Sequence, residues 1–134
     1  MSRLSVINLR AALCFLFVIL SLGLFSCHRA TLQNTLDEIN YRLPAPVEKG
    51  VMANKIEIVD NYVVFHHSVD ETLCDLMSFR SLSPEVLLKH LRDKGVEERD
   101  FLRLIRRCGL GLRYEYVGQG SGIVIACSIE NQQL

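Results

Sequence analysis

Hydrophobic and polar positions change period several times along this chain, and each change predicts an element. Residues 11–25 (AALCFLFVILSLGLF) are an uncharged, almost wholly apolar run preceded by Arg3 and Arg10. From Leu32 the pattern turns helical. Leu32, Leu36, Ile39 and Leu43 recur at intervals of four, three and four, one stripe of an amphipathic helix that Pro44 and Pro46 stop. Residues 44–54 (PAPVEKGVMAN) read as a connector. Residues 55–59 (KIEIV) and 62–69 (YVVFHHSV) are rich in β-branched and aromatic side chains around Asp60-Asn61, which predicts a hairpin with Ile56 and Ile58 on one face.

The helical period then returns. Ser68 and Glu71 have capping-box spacing ahead of Leu73, Leu76 and Met77, which predicts a short helix near 70–79. Ser83-Pro84-Glu85 starts a second helix, with Ser83 as N-cap and Val86, Leu87 and Leu91 as its stripe up to Gly95. In a third helix Glu97, Glu98 and Asp100 crowd the start and Arg103, Arg106 and Arg107 the end, matching the macrodipole. Phe101, Leu102, Leu104, Ile105 and Cys108 supply its buried side, and Gly109 ends it. A last hairpin alternates Leu110, Leu112, Tyr114 and Tyr116 with polar residues, turns through Gly118–Gly122, and returns through Ile123, Ile125, Cys127 and Ile129. Two β-hairpins forming a small antiparallel sheet, packed by helices inserted between them plus an N-terminal helix, make an α+β domain. Four antiparallel strands are the most economical form.

The beginning of the chain carries its clearest signal. A basic start and an apolar run form the layout of a secretory signal peptide. As a helix the run rises roughly 22 Å, short of the roughly 30 Å hydrocarbon core of a bilayer. It ends in Leu24-Phe25-Ser26-Cys27. This resembles the lipobox of bacterial lipoproteins, with an aliphatic residue at minus three, a small residue at minus one and the obligatory cysteine; Phe25 is bulkier than the usual occupant of minus two. The resemblance implies cleavage between Ser26 and Cys27, a thioether diacylglycerol on Cys27 and an amide-linked acyl chain on its new amine. Two or more chains hold a protein stably on a bilayer, whereas one does so marginally. Two other readings stay open, an ordinary Cys27 after a conventional signal peptide and a single uncleaved span. No aspartate follows Cys27 in His28-Arg29, which, under the Gram-negative sorting pattern, points to the outer membrane with the domain facing the periplasm.

Cleavage there leaves 108 residues, one domain's worth. The organisation expected is a signal peptide over 1–26, a lipidated segment with helix and connector over 27–50, and the α+β domain over 51–134. Fifteen acids against thirteen Lys and Arg after Cys27 leave a formal charge near −2, which suggests neither nucleic acid nor an anionic membrane surface as partner. The run with Asn40, Leu43-Pro44, Val47 and Gly50, followed by a hairpin, helices and residues 111–116 (GLRYEY) before a Gly turn, is similar to a set of small secreted bacterial proteins that lack an assigned activity. That resemblance covers most of the mature chain and supplies no catalytic residue.

Candidate chemistry is sparse. His66-His67 are neighbours on a strand and so point to opposite faces, and no HxH or HExxH spacing occurs; no metal ligand set and no cofactor are expected. One histidine should face solvent and the other the sheet edge. Cys74 and Cys108 could staple the first inserted helix to the last if export oxidises them, or, with Cys127, serve as small core residues. Gly118–Gly122 lacks the lysine and following helix of a phosphate-binding loop. Tyr114 and Tyr116 suit a sheet core or a groove, and Arg103, Arg106 and Arg107 suit a helix end or an anionic partner. The favoured reading is a non-enzymatic envelope lipoprotein that binds the bilayer through Cys27 and an envelope protein or polymer through its sheet face or a strand edge. The alternative is a small hydrolase or redox protein using a cysteine or histidine, which requires Cys108 or His67 in a concave, partly exposed pocket.

Overall fold

The structure, a computed structural model, describes residues 28–134, so the apolar run, Ser26 and Cys27 lie outside the described residues. Helix α1 (28–41) leads into strands β1 (Ala45–Glu48), β2 (Val51–Val59) and β3 (Tyr62–Asp70). A 3-10 segment (Leu76–Ser81), helices α2 (Pro84–Lys94) and α3 (Val96–Arg107), then strands β4 (Gly111–Gln119) and β5 (Val124–Ile129) complete the α+β domain. Spatial strand order follows chain order, β1-β2-β3-β4-β5, and the helices cover one face.

Several elements form for the reasons the sequence offers. Ser83 accepts the Val86 amide as N-cap of α2, Pro84 opens the helix, and Gly95, with φ 155°, separates α2 from α3. Glu97 and Glu98 stand in the first turn of α3 and Arg106 and Arg107 in its last. Asp60, at φ 54°, makes the tight β2–β3 turn in a conformation that aspartate tolerates.

Other elements depart from expectation. Residues 45–48, read as connector, pair with β2 as an edge strand; proline disfavours central strands but is tolerated at an edge, where Pro46 stands opposite Met52. The sheet is not wholly antiparallel. After β3 the chain crosses the face through α2 and α3 and returns beside β3 in the same direction, pairing Tyr62 with Gly111 through to Asp70 with Gln119 in parallel. The helix expected at 70–79 is replaced by the later 3-10 segment, capped by Asp75, with Leu73 and Met77 exposed. Ser68 remains in β3, and Glu71 instead accepts the backbone amide (3.1 Å) and hydroxyl (2.6 Å) of Ser121, tying down the β4–β5 turn. A side chain at position 118 would displace that carboxylate and the Ser121 hydroxyl from this contact.

The inner sheet face alternates as the pleat demands. Ile56, Val63, Leu112 and Ile129 pack with Leu87 and Leu91 of α2, Leu102 and Ile105 of α3, and Leu32 and Leu36 of α1 in the main core. Leu32 and Leu36 are fully buried, so the helix placed ahead of the domain in the sequence reading is packed into its centre. A smaller cluster of Val51, Val69, Leu76 and Tyr116 lies under the 3-10 segment.

α1 is stitched to the sheet by one side chain. The Asn40 amide donates to the Ile56 carbonyl (2.7 Å) and accepts from the Ile56 amide (2.8 Å). Pairing between β1 and β2 ends near Ala53, and β2 bulges between Ala53 and Lys55, so Asn40 satisfies backbone groups that the edge strand does not reach. Replacing it leaves both groups partly buried without this partner. Asn40→Ala is therefore expected to cost about 1–3 kcal/mol in urea unfolding, and a loss below about 0.5 kcal/mol would show that α1 is held by its leucines alone.

Candidate functional site

A cleft of about 660 Å³ opens on the helical face. Its floor is the inner sheet surface at Phe65 of β3 and Leu112 and Tyr114 of β4. One wall is the last turn of α1 and its exit, with Glu38, Ile39, Arg42 and Leu43. The other is the α2–α3 junction, with Leu91, Lys94, Glu97, Glu98, Phe101 and Leu102. The opening lies between the last turn of α1 and the first turns of α3. Elsewhere on α1, the charge of Arg29 acts on the thiol of Cys108 at the C-cap of α3, against the larger upward effect of burial.

A file of rings runs along the floor and into the smaller core. Phe101 meets Phe65 edge-on with centroids 6.2 Å apart, and Phe65 lies 4.7 Å from Tyr114. Tyr114 lies 5.3 Å from His67, His67 stacks on Tyr116 at 4.7 Å, and Tyr116 stacks on Phe79 at 4.1 Å. Such pairs add about 0.5–1.5 kcal/mol each beyond their buried area. Burial pushes the Tyr114 phenol far above its ordinary range and Tyr116 up to about 12, so both remain neutral donors throughout the physiological range. The floor is thus apolar and stiff, while the rim carries both signs of charge.

The two histidines do occupy opposite faces. His66 lies on the outer face, with Nε2 2.9 Å from Glu57 and Nδ1 3.2 Å from Glu115, a ladder across β2, β3 and β4 that Lys55 extends at 3.3 Å from Glu57. Slight burial opposes ionisation of Glu57, but Lys55 and His66 outweigh it and hold that carboxyl below its usual range. The same face carries Arg113 over the Tyr62 ring at 4.5 Å and against Ser128 at 2.9 Å. Tyr62 in turn donates to Glu130 (2.6 Å), a bond that raises the phenol pKa. His67 is not at a sheet edge, because its strand is central; it is buried in the ring file with Nδ1 3.1 Å from the Glu115 carbonyl.

The remaining sequence candidates are scattered. Ser26 and Cys27 lie outside the described residues. Cys74, Cys108 and Cys127 are free thiols. Cys74 packs against the smaller cluster whereas Cys108 sits in the main core, so the staple considered between them is not formed. Burial raises the Cys108 and Cys127 pKa values, which makes poor nucleophiles. The hydrolase or redox alternative needed Cys108 or His67 in an open pocket, and both are buried and neither lines the cleft. Among the described residues no group of three or more His, Cys, Asp or Glu is arranged to hold a metal ion, and no helix is long and apolar enough to cross a membrane. Sequence reasoning missed Phe65 and Phe101 as cleft residues. Phe101 read as the buried side of its helix and Phe65 as one aromatic of a strand, and only the assembled cleft brings the two together.

Neither a protein-family model nor a curated protein sequence matches the chain. Solved structures do match in fold. A Pseudomonas aeruginosa protein assigned as secreted is 16% identical, with a TM-score of 0.57 over 78% of this chain and 89% of its own. The type II secretion system pilotin AspS of Vibrio cholerae is 9% identical, with a TM-score of 0.54 over 81% of this chain and 94% of its own. The pilotin EpsS of the Vibrio vulnificus type 2 secretion system is 14% identical, with a TM-score of 0.51 over 81% and 92%. The fold is therefore one found in small secreted and secretion-accessory bacterial proteins.

His67 gives this site a pH signature. Burial dominates and holds its pKa below the ordinary value, against the pull of hydrogen bonds to the carbonyls of Glu115 and Phe65. As pH falls through about 6.5 the unfolded chain therefore takes up the proton first, and the folded state loses stability from there downward. In urea titrations at pH 7 and pH 5, His67→Phe should gain stability relative to the parent at the lower pH. A gap that does not change with pH would show that the ring is not held neutral.

Proposed function

We propose that the chain is an accessory lipoprotein of the bacterial envelope. Acyl chains on Cys27 hold it on the periplasmic side of the membrane, the outer membrane in a Gram-negative cell, and the cleft between α1 and the α2–α3 junction receives an amphipathic helix of another envelope protein. The cleft is the observation that carries this reading. An apolar floor of Phe65, Leu112 and Tyr114 suits the apolar stripe of a helix, whose side chains at i, i+3 and i+4 would anchor on the rings. Glu38 and Arg42 on one wall and Lys94, Glu97 and Glu98 on the other offer both signs of charge to its polar flanks. No nucleophile–base pair opens into it, which favours binding over catalysis.

Two further points support the reading. The fold likeness to two pilotins fits an envelope-accessory role, in the manner their names describe for them. Residue 28, directly after Cys27, is already helical, so an acylated Cys27 would join α1 without a linker between them.

Intact mass spectrometry of the membrane-extracted protein beside a Cys27→Ala variant tests the anchor. A chain beginning at residue 27 and carrying acyl mass, absent from the variant, is expected; an unacylated chain overturns it. A photo-reactive amino acid in place of Arg42 on the rim tests the cleft in growing cells. The expected product is a cross-link to an envelope protein, mapping to a peptide with a helical apolar stripe. Phe101→Arg should lower its yield about tenfold while thermal melting shows the fold retained. Cross-links that persist unchanged in that variant would place the partner elsewhere.

A further inference from the structure

A second, smaller hollow of about 230 Å³ lies against α3, lined by Arg92, Arg99, Leu102, Arg103, Arg106 and Leu134. Four arginines from two helices line it, and no carboxylate side chain does. Gathering four like charges around one hollow is unfavourable. The helix dipole favours Arg106, in the last turn of α3, but disfavours Arg99, near its beginning, so helix-end placement does not account for the group. Local contacts offset part of it. Asp100 reaches Arg103 at 3.3 Å in an exposed pair, Arg99 donates to the Gly95 carbonyl, and Arg106 donates to the main-chain oxygen of Leu134, the last residue of the sequence. Planar guanidiniums set around one hollow suit the oxygens of a phosphate.

The position of the hollow names the source of that phosphate. The cleft joins the last turn of α1 to the beginning of α3, so the described start of α1 points towards the other end of α3, where the charge of Arg29 acts on Cys108; the end of α3 that carries Arg106 and Arg107 is thus also the end at which an anchor on Cys27 would enter. We propose that the arginine-lined hollow between α2 and α3 binds the headgroup phosphate of an anionic phospholipid in the leaflet to which the chain is tethered. The choice of a lipid over a free anion rests on the lipid-anchor reading above. The consequence is a fixed orientation, with the arginine-bearing side of α3 laid towards the bilayer.

The test is native mass spectrometry of the membrane-extracted full chain in non-ionic detergent, titrated with phosphatidylglycerol, phosphatidylcholine or inorganic phosphate. Phosphatidylglycerol adducts should exceed phosphatidylcholine adducts about tenfold or more and weaken with added salt. They should disappear in Arg99→Glu/Arg103→Glu and survive in part in Arg99→Lys/Arg103→Lys, with unchanged melting temperatures without lipid. Equal adducts from both lipids, or adducts indifferent to these variants, would overturn the proposal. Inorganic phosphate binding as tightly as phosphatidylglycerol would do so too, making the hollow a free-anion site. The same spectra report acylation of Cys27 separately. Acylated protein without lipid adducts removes the hollow and leaves the anchor, and unacylated protein with variant-sensitive adducts does the reverse.

Discussion

The two hydrogen bonds between the Asn40 side chain and the backbone of Ile56 set the geometry on which the helical face depends. They fix where α1 stops relative to β2. Since Leu32 and Leu36 lock the first half of α1 over the main core, the last turn is left no freedom to close down on the α2–α3 junction. The cleft is the space left by that constraint. A residue that could not both donate and accept would satisfy only half of the exposed backbone of β2, which explains why an amide stands at this position rather than a carboxylate or a hydrocarbon.

The sheet divides its labour between faces. Its inner face is a continuous run of rings and aliphatic side chains, apolar from Phe101 to Phe79 apart from one neutral histidine. Its outer face is a lattice of compensated charges in which Glu57, His66 and Glu115 span three strands and Arg113 covers Tyr62. The lattice also shields Val64, which lies between these strands with 1% exposure although it faces away from the main core. Among the described residues the charged groups of the outer sheet face are thus paired across strands, whereas the cleft opens on the helical side.

What could be read from the sequence was local. Ser83-Pro84 and Gly95 delimit α2, and Asp60-Asn61 marks its hairpin, because capping and turn chemistry act within a few residues. The apolar stripe of α1 was visible through Leu32, Leu36, Ile39 and Leu43. Illegible features depended on distant partners. Residues 45–48 look like a linker until β2 lies beside them, and Glu71 looks like a cap until Ser121 folds back onto it. Net charge hid the arginine hollow, because the residues after Cys27, at a formal charge near −2, can still bring four arginines around one hollow when two helices pack. Spacing held a partial clue in Arg99, Arg103 and Arg106, at intervals of four and three on one helix face.

The parallel seam between β3 and β4 bears on how the chain is made. Tyr62 and Gly111, the first pair of that seam, are forty-nine positions apart, whereas the pairings on either side of it are hairpins with short turns. Until the last quarter of the chain is available, β3 has a full edge open, with Val63, Val64 and Val69 along a nine-residue strand. An open edge of that length is a template for strand addition by another chain. A nascent or nicked molecule lacking β4 is thus the form of this protein most prone to self-association, and its protection in the cell is a matter of delivering the C-terminal hairpin promptly, or of covering β3 until it arrives.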